Sequence, residues 1–126
     1  MYQLAISRDF IARHYLIGGD YGPENREHSH HYRAEALIEG EELDGNGYLV
    51  DIVALEQALL AVLEEFRERL LNELPPFAGL NPSLEHFARI CWERLRARLG
   101  AVHGRLTVRL WENDRDWAAF TGPPSP

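Results

Sequence analysis

The chain has 126 residues, 45% of them hydrophobic and 26% charged, with a formal net charge of −7, which is globular composition with room for one compact domain over residues 1–126. No apolar run approaches the roughly 18 residues that a membrane span requires, and the acidic balance argues against a broad contact with nucleic-acid phosphates. The opening Met1-Tyr2-Gln3-Leu4-Ala5-Ile6-Ser7-Arg8 lacks the basic head and apolar core of an export signal, and the single cysteine, Cys91, cannot form an internal disulfide, so a cytoplasmic protein is expected.

In chain order, Tyr2, Leu4, Ile6, Phe10, Ala12 and His14 share one parity, which predicts a strand from Tyr2 to Tyr15 with a bulge near Arg8-Asp9. Turn formers crowd Gly18 to Asn25, and a second strand is predicted from about His28 to Glu42, with Tyr32, Ala34, Ala36 and Ile38 on its apolar side. After the tight turn Asp44-Gly45-Asn46-Gly47, Asp51 is placed to cap a helix over residues 52–71 whose stripe includes Ile52, Leu55, Leu59, Val62, Leu63, Phe66 and Leu70. Pro75-Pro76 interrupts helix, and Asn81-Pro82 reads as a cap followed by proline at the first position of a second helix, stopped at Gly100. Alternation predicts a third strand from Arg105 to Glu112 and a short fourth at Trp117 to Phe120, and Pro123-Pro124-Ser125-Pro126 reads as a loose tail. The order ββααββ predicts an α+β fold, a four-stranded sheet with two helices on one face and a second face to be covered by oligomerising.

The densest chemistry lies in Glu27-His28-Ser29-His30-His31. His28 and His30, two apart on a strand, point to one face, and antiparallel pairing brings His14 beside them. Three imidazoles with one open position are the ligand set of a catalytic zinc, although H-x-H is a weak pattern and a metal-free histidine-rich strand end has the same letters. Glu112 extends the buried parity of Leu106, Val108 and Leu110, either as an ordinary strand-end acid or as a ligand anchor. Cys91, among Ile90, Trp92 and Leu95, reads as core, and His31, His86 and His103 carry no assigned role.

Phe10-Ile11-Ala12-Arg13-His14-Tyr15-Leu16 resembles the F-x-A-x-H-x-L segment of the 6-pyruvoyltetrahydropterin synthases and the related 6-carboxytetrahydropterin synthases of queuosine biosynthesis. His28-Ser29-His30-His31-Tyr32 resembles their H-G-H-N-Y, and Gly47 to Ile52 their G-M-V-x-D-F. Leu71-Asn72-Glu73 is similar to their L-N-E, Asn81 to Glu85 to their N-P-T-x-E, and Val108 to Glu112 to their V-x-V-x-E strand. The likeness runs through nearly the whole chain in the family's order. It implies the tunnelling fold, rings of subunits stacked as homohexamers (dimers of trimers) with active sites between subunits. It also implies zinc held by His14, His28 and His30, and a pterin anchored through its N3–H and 2-amino group by Glu112, since a carboxylate accepts two parallel hydrogen bonds.

The departures from the family bear on the reaction. Its catalytic cysteine is missing from the loop between Gly18 and Glu27, and Arg67-Glu68 stands where its Asp-His pair is expected. Some relatives carry a loop glutamate instead and cleave the substrate side chain to leave a 6-hydroxymethyl pterin. Glu24 is the corresponding candidate base, or else a solvated loop acid, and Glu27 is a second candidate. The resemblance thus implies a zinc-dependent lyase acting on a GTP-derived dihydropterin, 7,8-dihydroneopterin triphosphate or a relative. 6-Carboxytetrahydropterin synthase is the nearest named activity, with the 6-pyruvoyl reaction and side-chain cleavage behind it. The alternative is a catalytically silent module that binds zinc and a pterin or purine.

Overall fold

The alternating first segment forms β1 (Tyr2–His14) in the computed structural model, which describes residues 1–123. Three residues of the expected tail, Pro124, Ser125 and Pro126, lie outside the described residues. β1 pairs antiparallel with β2 (His28–Gly40) in one unbroken register from Tyr2↔Gly40 to His14↔His28. The expected bulge is therefore not formed. Arg8 keeps its inward parity because its guanidinium meets Glu56 on the first helix, so the polar residue needs no skip in the ladder. β3 (Arg105–Trp111) pairs with β2, and β4 (Trp117–Thr121) with β3, giving the antiparallel order β1-β2-β3-β4.

Helix α1 (Ile52–Glu64) starts at Asp51, whose carboxylate accepts from the N–H groups of Val53 and Ala54, as expected. It ends seven residues earlier than its apolar stripe predicts. The chain turns out at Glu68, with φ 60°, so that the Glu68 N–H donates to Ile11 O at 2.7 Å and Arg69 O accepts from the Arg13 N–H at 2.9 Å. β1 is an edge strand, and satisfying its outer backbone groups outweighs two further turns of helix. Leu71–Glu73 and Pro75–Phe77 then form short 3₁₀ turns. Helix α2 (Leu84–Leu99) is capped by Ser83, whose hydroxyl accepts from the His86 N–H, and not by Asn81, which is engaged elsewhere.

The apolar parities of all four strands pack beneath the helices. Phe10, Tyr32, Phe66, Phe77 and Phe87 form a buried aromatic cluster with ring centroids 5.1 to 6.3 Å apart, each contributing on the order of 1.5–3 kcal/mol of burial. The cluster lies directly beneath the end of β1 that carries His14, and so fixes the floor of the site. The opposite face of the sheet is mostly polar, with Asp9, Arg33, Glu35 and Arg109 joined in ion pairs.

Candidate metal centre and ligand cleft

His14 is the last residue of β1 and His28 the first of β2, and they are direct register partners, while His30 stands one pleat further along the same face. The three ligating nitrogens lie within 4.8 Å of one another, and His28 Nε2 and His30 Nε2 are 3.1 Å apart. The hydrogen bonds settle which nitrogen is available on two of the rings. His14 Nδ1 lies 3.0 Å from Pro82 O and His28 Nδ1 lies 2.8 Å from Arg26 O. A carbonyl has no proton to give, so both Nδ1 atoms carry hydrogen and both Nε2 atoms keep a lone pair. The His30 ring is likewise held by the backbone of Glu112.

Such a set fits zinc. His14 and His28 each have a backbone carbonyl behind the ring, the support that orients metal-bound histidine, and the His28 and His30 Nε2 atoms, 3.1 Å apart, match the roughly 3.3 Å edge of a tetrahedron with bonds of about 2.0–2.1 Å. Burial is the main reason the His14 pKa falls from 6.5 to about 4, with His28 and His30 adding to the fall. Burial also lowers that of His30, again with a contribution from His28. His14 and His30 are thus biased toward the neutral ring, the state a metal requires.

Beside the triad opens a cleft of about 590 Å³ whose walls include His14, Glu24, Glu85, Glu112, Asp116 and Trp117. Glu24 sits in a 3₁₀ turn (Gly22–Asn25), and its backbone carbonyl accepts from the Leu16 N–H at 2.8 Å, which ties the loop to the end of β1. Its charge acts on His14, His30, Tyr32 and Glu112 alike. Glu112 follows β3, and burial, then the charges of Glu24 and Asp116, raise its pKa.

Of the residues singled out in the sequence, His14, His28, His30, Glu24 and Glu112 thus meet at one place. Glu27 does not join them, because its carboxylate pairs with Arg13 at 3.0 Å. Cys91 is buried in the core, where desolvation pushes its thiol pKa up and leaves it unreactive.

Sequence reasoning missed the asparagines that hold this arrangement. Asn72 clamps Tyr15, accepting from its N–H and donating to its carbonyl, both at 2.9 Å. Asn81 accepts from the Ile17 N–H, and Asn25 donates to Leu16 O and Gly19 O. Two of them lie in quoted segments, Leu71-Asn72-Glu73 and Asn81-Pro82-Ser83, and Pro82 itself supplies the carbonyl behind His14. For Asn72, an asparagine inside such a segment without a cap to make was the available signal; Asn81 was read as a cap instead.

The family model described as 6-pyruvoyl tetrahydropterin synthase matches residues 3–123. Among curated proteins no significant sequence match is found. Among solved structures, Caenorhabditis elegans 6-pyruvoyl tetrahydropterin synthase superposes with a TM-score of 0.86 at 20% identity, over 97% of this chain and 96% of that one. A Plasmodium vivax 6-pyruvoyltetrahydropterin synthase with a catalytic glutamate replaced by alanine gives 0.78 at 13%, over 96% and 97%. An uncharacterized protein, WS1659 of Wolinella succinogenes, gives 0.74 at 18%, over 97% and 98%. At these identities the structural likeness speaks to the fold, a tunnelling-fold sheet with two helices.

Proposed function

The chain belongs to the 6-pyruvoyl tetrahydropterin synthase family, and from that premise we propose that it is a zinc-dependent, lyase-type enzyme. Its substrate is a GTP-derived dihydropterin, 7,8-dihydroneopterin triphosphate or a relative, handled by one pterin synthase-like domain. The observation that carries the reading is the meeting of three imidazoles with two carboxylates, Glu24 and Glu112, around one cleft.

His14, His28 and His30 would hold the zinc, which when bound supplies Lewis-acid stabilisation of negative charge developing on side-chain oxygens. Glu112 accepts the N3–H and 2-amino donors of the pterin and so sets the ring's orientation. Glu24 is the base, and the catalytic glutamate of the Plasmodium vivax relative supports a carboxylate in that role. Glu24 takes the proton of the side-chain hydroxyl on C2′. That carbon becomes the carbonyl of a departing aldehyde, the C1′–C2′ bond breaks, its electron pair enters the pterin ring, and a proton returns to C1′ to leave a 6-hydroxymethyl group.

Turnover of dihydroneopterin and its triphosphate, followed by mass spectrometry, tests the reading, with a 6-hydroxymethyl pterin as the expected product. A 6-carboxy or 6-pyruvoyl product would move the chain to the sibling reactions. Tight pterin binding without product would select the silent binding module, a reading favoured by the exposed Arg67-Glu68 in place of an acid-histidine pair.

A further inference from the structure

We propose that Asn25 is a positioning residue for the reaction, fixing Glu24 relative to the histidine cluster by closing the loop between β1 and β2 with its carboxamide. This rests on the reading of Glu24 as the base and adds the device that places it. Glu24 stands in a segment that packing does not hold. Of residues 17–27 every one but Asn25 is exposed, and the 3₁₀ turn Gly22–Asn25 has no buried residue. A segment without buried apolar contacts keeps one shape only through polar ties.

Asn25 supplies those ties. Its Nδ2 donates to Leu16 O and to Gly19 O, both at 3.0 Å, and its Oδ1 accepts from the Tyr21 N–H at 2.7 Å. The partners fix which way the carboxamide lies, because the reverse orientation would set its oxygen against two carbonyl oxygens. The ties converge on Leu16, whose carbonyl accepts from the Asn25 side chain while its N–H donates to Glu24 O at 2.8 Å. Leu16 in turn follows Tyr15, which Asn72 holds at both backbone groups, and Tyr15 follows His14. The path from metal ligand to base therefore runs through hydrogen-bonded residues of a single chain. Asp20, which accepts from the Gly22 N–H at 3.1 Å, closes only a local turn. Without the Asn25 carboxamide, among the described residues one hydrogen bond would still join the turn carrying Glu24 to the end of β1, that between Leu16 N–H and Glu24 O. A single bond is a pivot, and the Asn25–Leu16 bond beside it fixes the angle. Since a misplacement of about 1 Å can cost on the order of 100-fold in rate, the carboxamide acts on turnover and not on the metal or the ring.

Asn25→Ala and Asn25→Asp test the proposal, the second keeping the size and the acceptor while losing both donors. Zinc-loaded, each is expected to keep the parent's zinc content and to bind 7,8-dihydroneopterin within about three-fold of it, while the single-turnover rate falls by about 10- to 100-fold. That loss should vanish in a Glu24→Gln background, where nothing is left to position. In metal-free protein, the Leu16 amide should be protected from hydrogen exchange in the parent and exchange faster in both variants. Full turnover in either variant, or unchanged exchange at Leu16, would overturn the proposal while leaving the pterin reading standing. So would a loss that multiplies undiminished with that of Glu24→Gln, or zinc lost in step with rate, since either would show that Asn25 does not act through Glu24. A parent that turns over no dihydropterin would overturn this inference together with the function on which it rests.

Discussion

At the scale of single residues, the site divides its labour in a way that mutation can separate. Glu112→Gln should weaken pterin binding by about 1.5–3 kcal/mol, because an amide accepts through only one of its two arms. Glu24→Gln should leave pterin affinity and zinc content nearly intact while lowering turnover by about 100-fold or more, since the role proposed for the group lies in the proton-transfer step. Calorimetry and single-turnover kinetics on both variants distinguish the roles, and normal turnover in Glu24→Gln would remove it as the base. His14 adds a pH signature. Its pKa is lowered from 6.5 to about 4, so between those values the unfolded chain binds the extra proton first. The stability His14 contributes is therefore fully present above pH 6.5 and lost as pH falls toward 4, with a slope approaching about 1.4 kcal/mol per pH unit. Denaturation of metal-free protein and of His14→Gln across that range should show the slope in the parent and its loss in the variant. That His14, His28, His30, Glu24 and Glu112 lie together was legible in the sequence, because parity and strand pairing place the histidines and because the family segments are short and ordered. The reason His14 and His30 lose basicity was not legible, since it lies in their burial, which only folding brings about; nor were the carbonyls of Pro82 and Arg26 that orient His14 and His28.

Between residue and molecule, the elements show where local pattern yields to tertiary demand. The apolar stripe through Leu70 reads as helix, yet the chain leaves α1 at Glu64 to cover the open edge of β1 around Ile11 and Arg13. Arg8-Asp9 reads as a bulge, yet the ladder runs through because Glu56 meets Arg8. Both errors have one cause: a single sequence shows periodicity but not which backbone or charge waits across the gap. The capping residue moved from Asn81 to Ser83 for a related reason, as Asn81 is drawn to the Ile17 N–H. The asparagine clamps give the elements a test of their own. Asn72→Ala removes two hydrogen bonds to Tyr15 and leaves a half-buried backbone pair unmet, so a loss of about 2 kcal/mol is expected in chemical denaturation. Zinc affinity should fall with it, because Tyr15 directly follows His14. A variant as stable as the parent would show that water replaces the clamp at no cost.

For the whole molecule, the sheet covers one face with helices and leaves the other open. On that open face Trp117 is 49% exposed and Ile11 42%, and among the described residues Arg109 Nε and Trp111 Nε1 are buried with no hydrogen-bond partner. These are features that a neighbouring subunit would cover and satisfy. In solution the chain is expected as a multiple of three, most simply a hexamer, and a monomer by light scattering would contradict that assembly. The ββααββ order and the sheet were readable from alternation and from turn residues such as Asp44-Gly45-Asn46-Gly47, whereas subunit number is carried by surface shape and left no periodic trace. The central claim, that β1 and β2 bring three imidazoles together to hold a metal, is tested most directly by elemental analysis of the gently purified protein and of His28→Ala. About one zinc per chain in the parent, and most of it lost in the variant, is expected. Metal-free parent protein that takes up no added zinc would contradict the account.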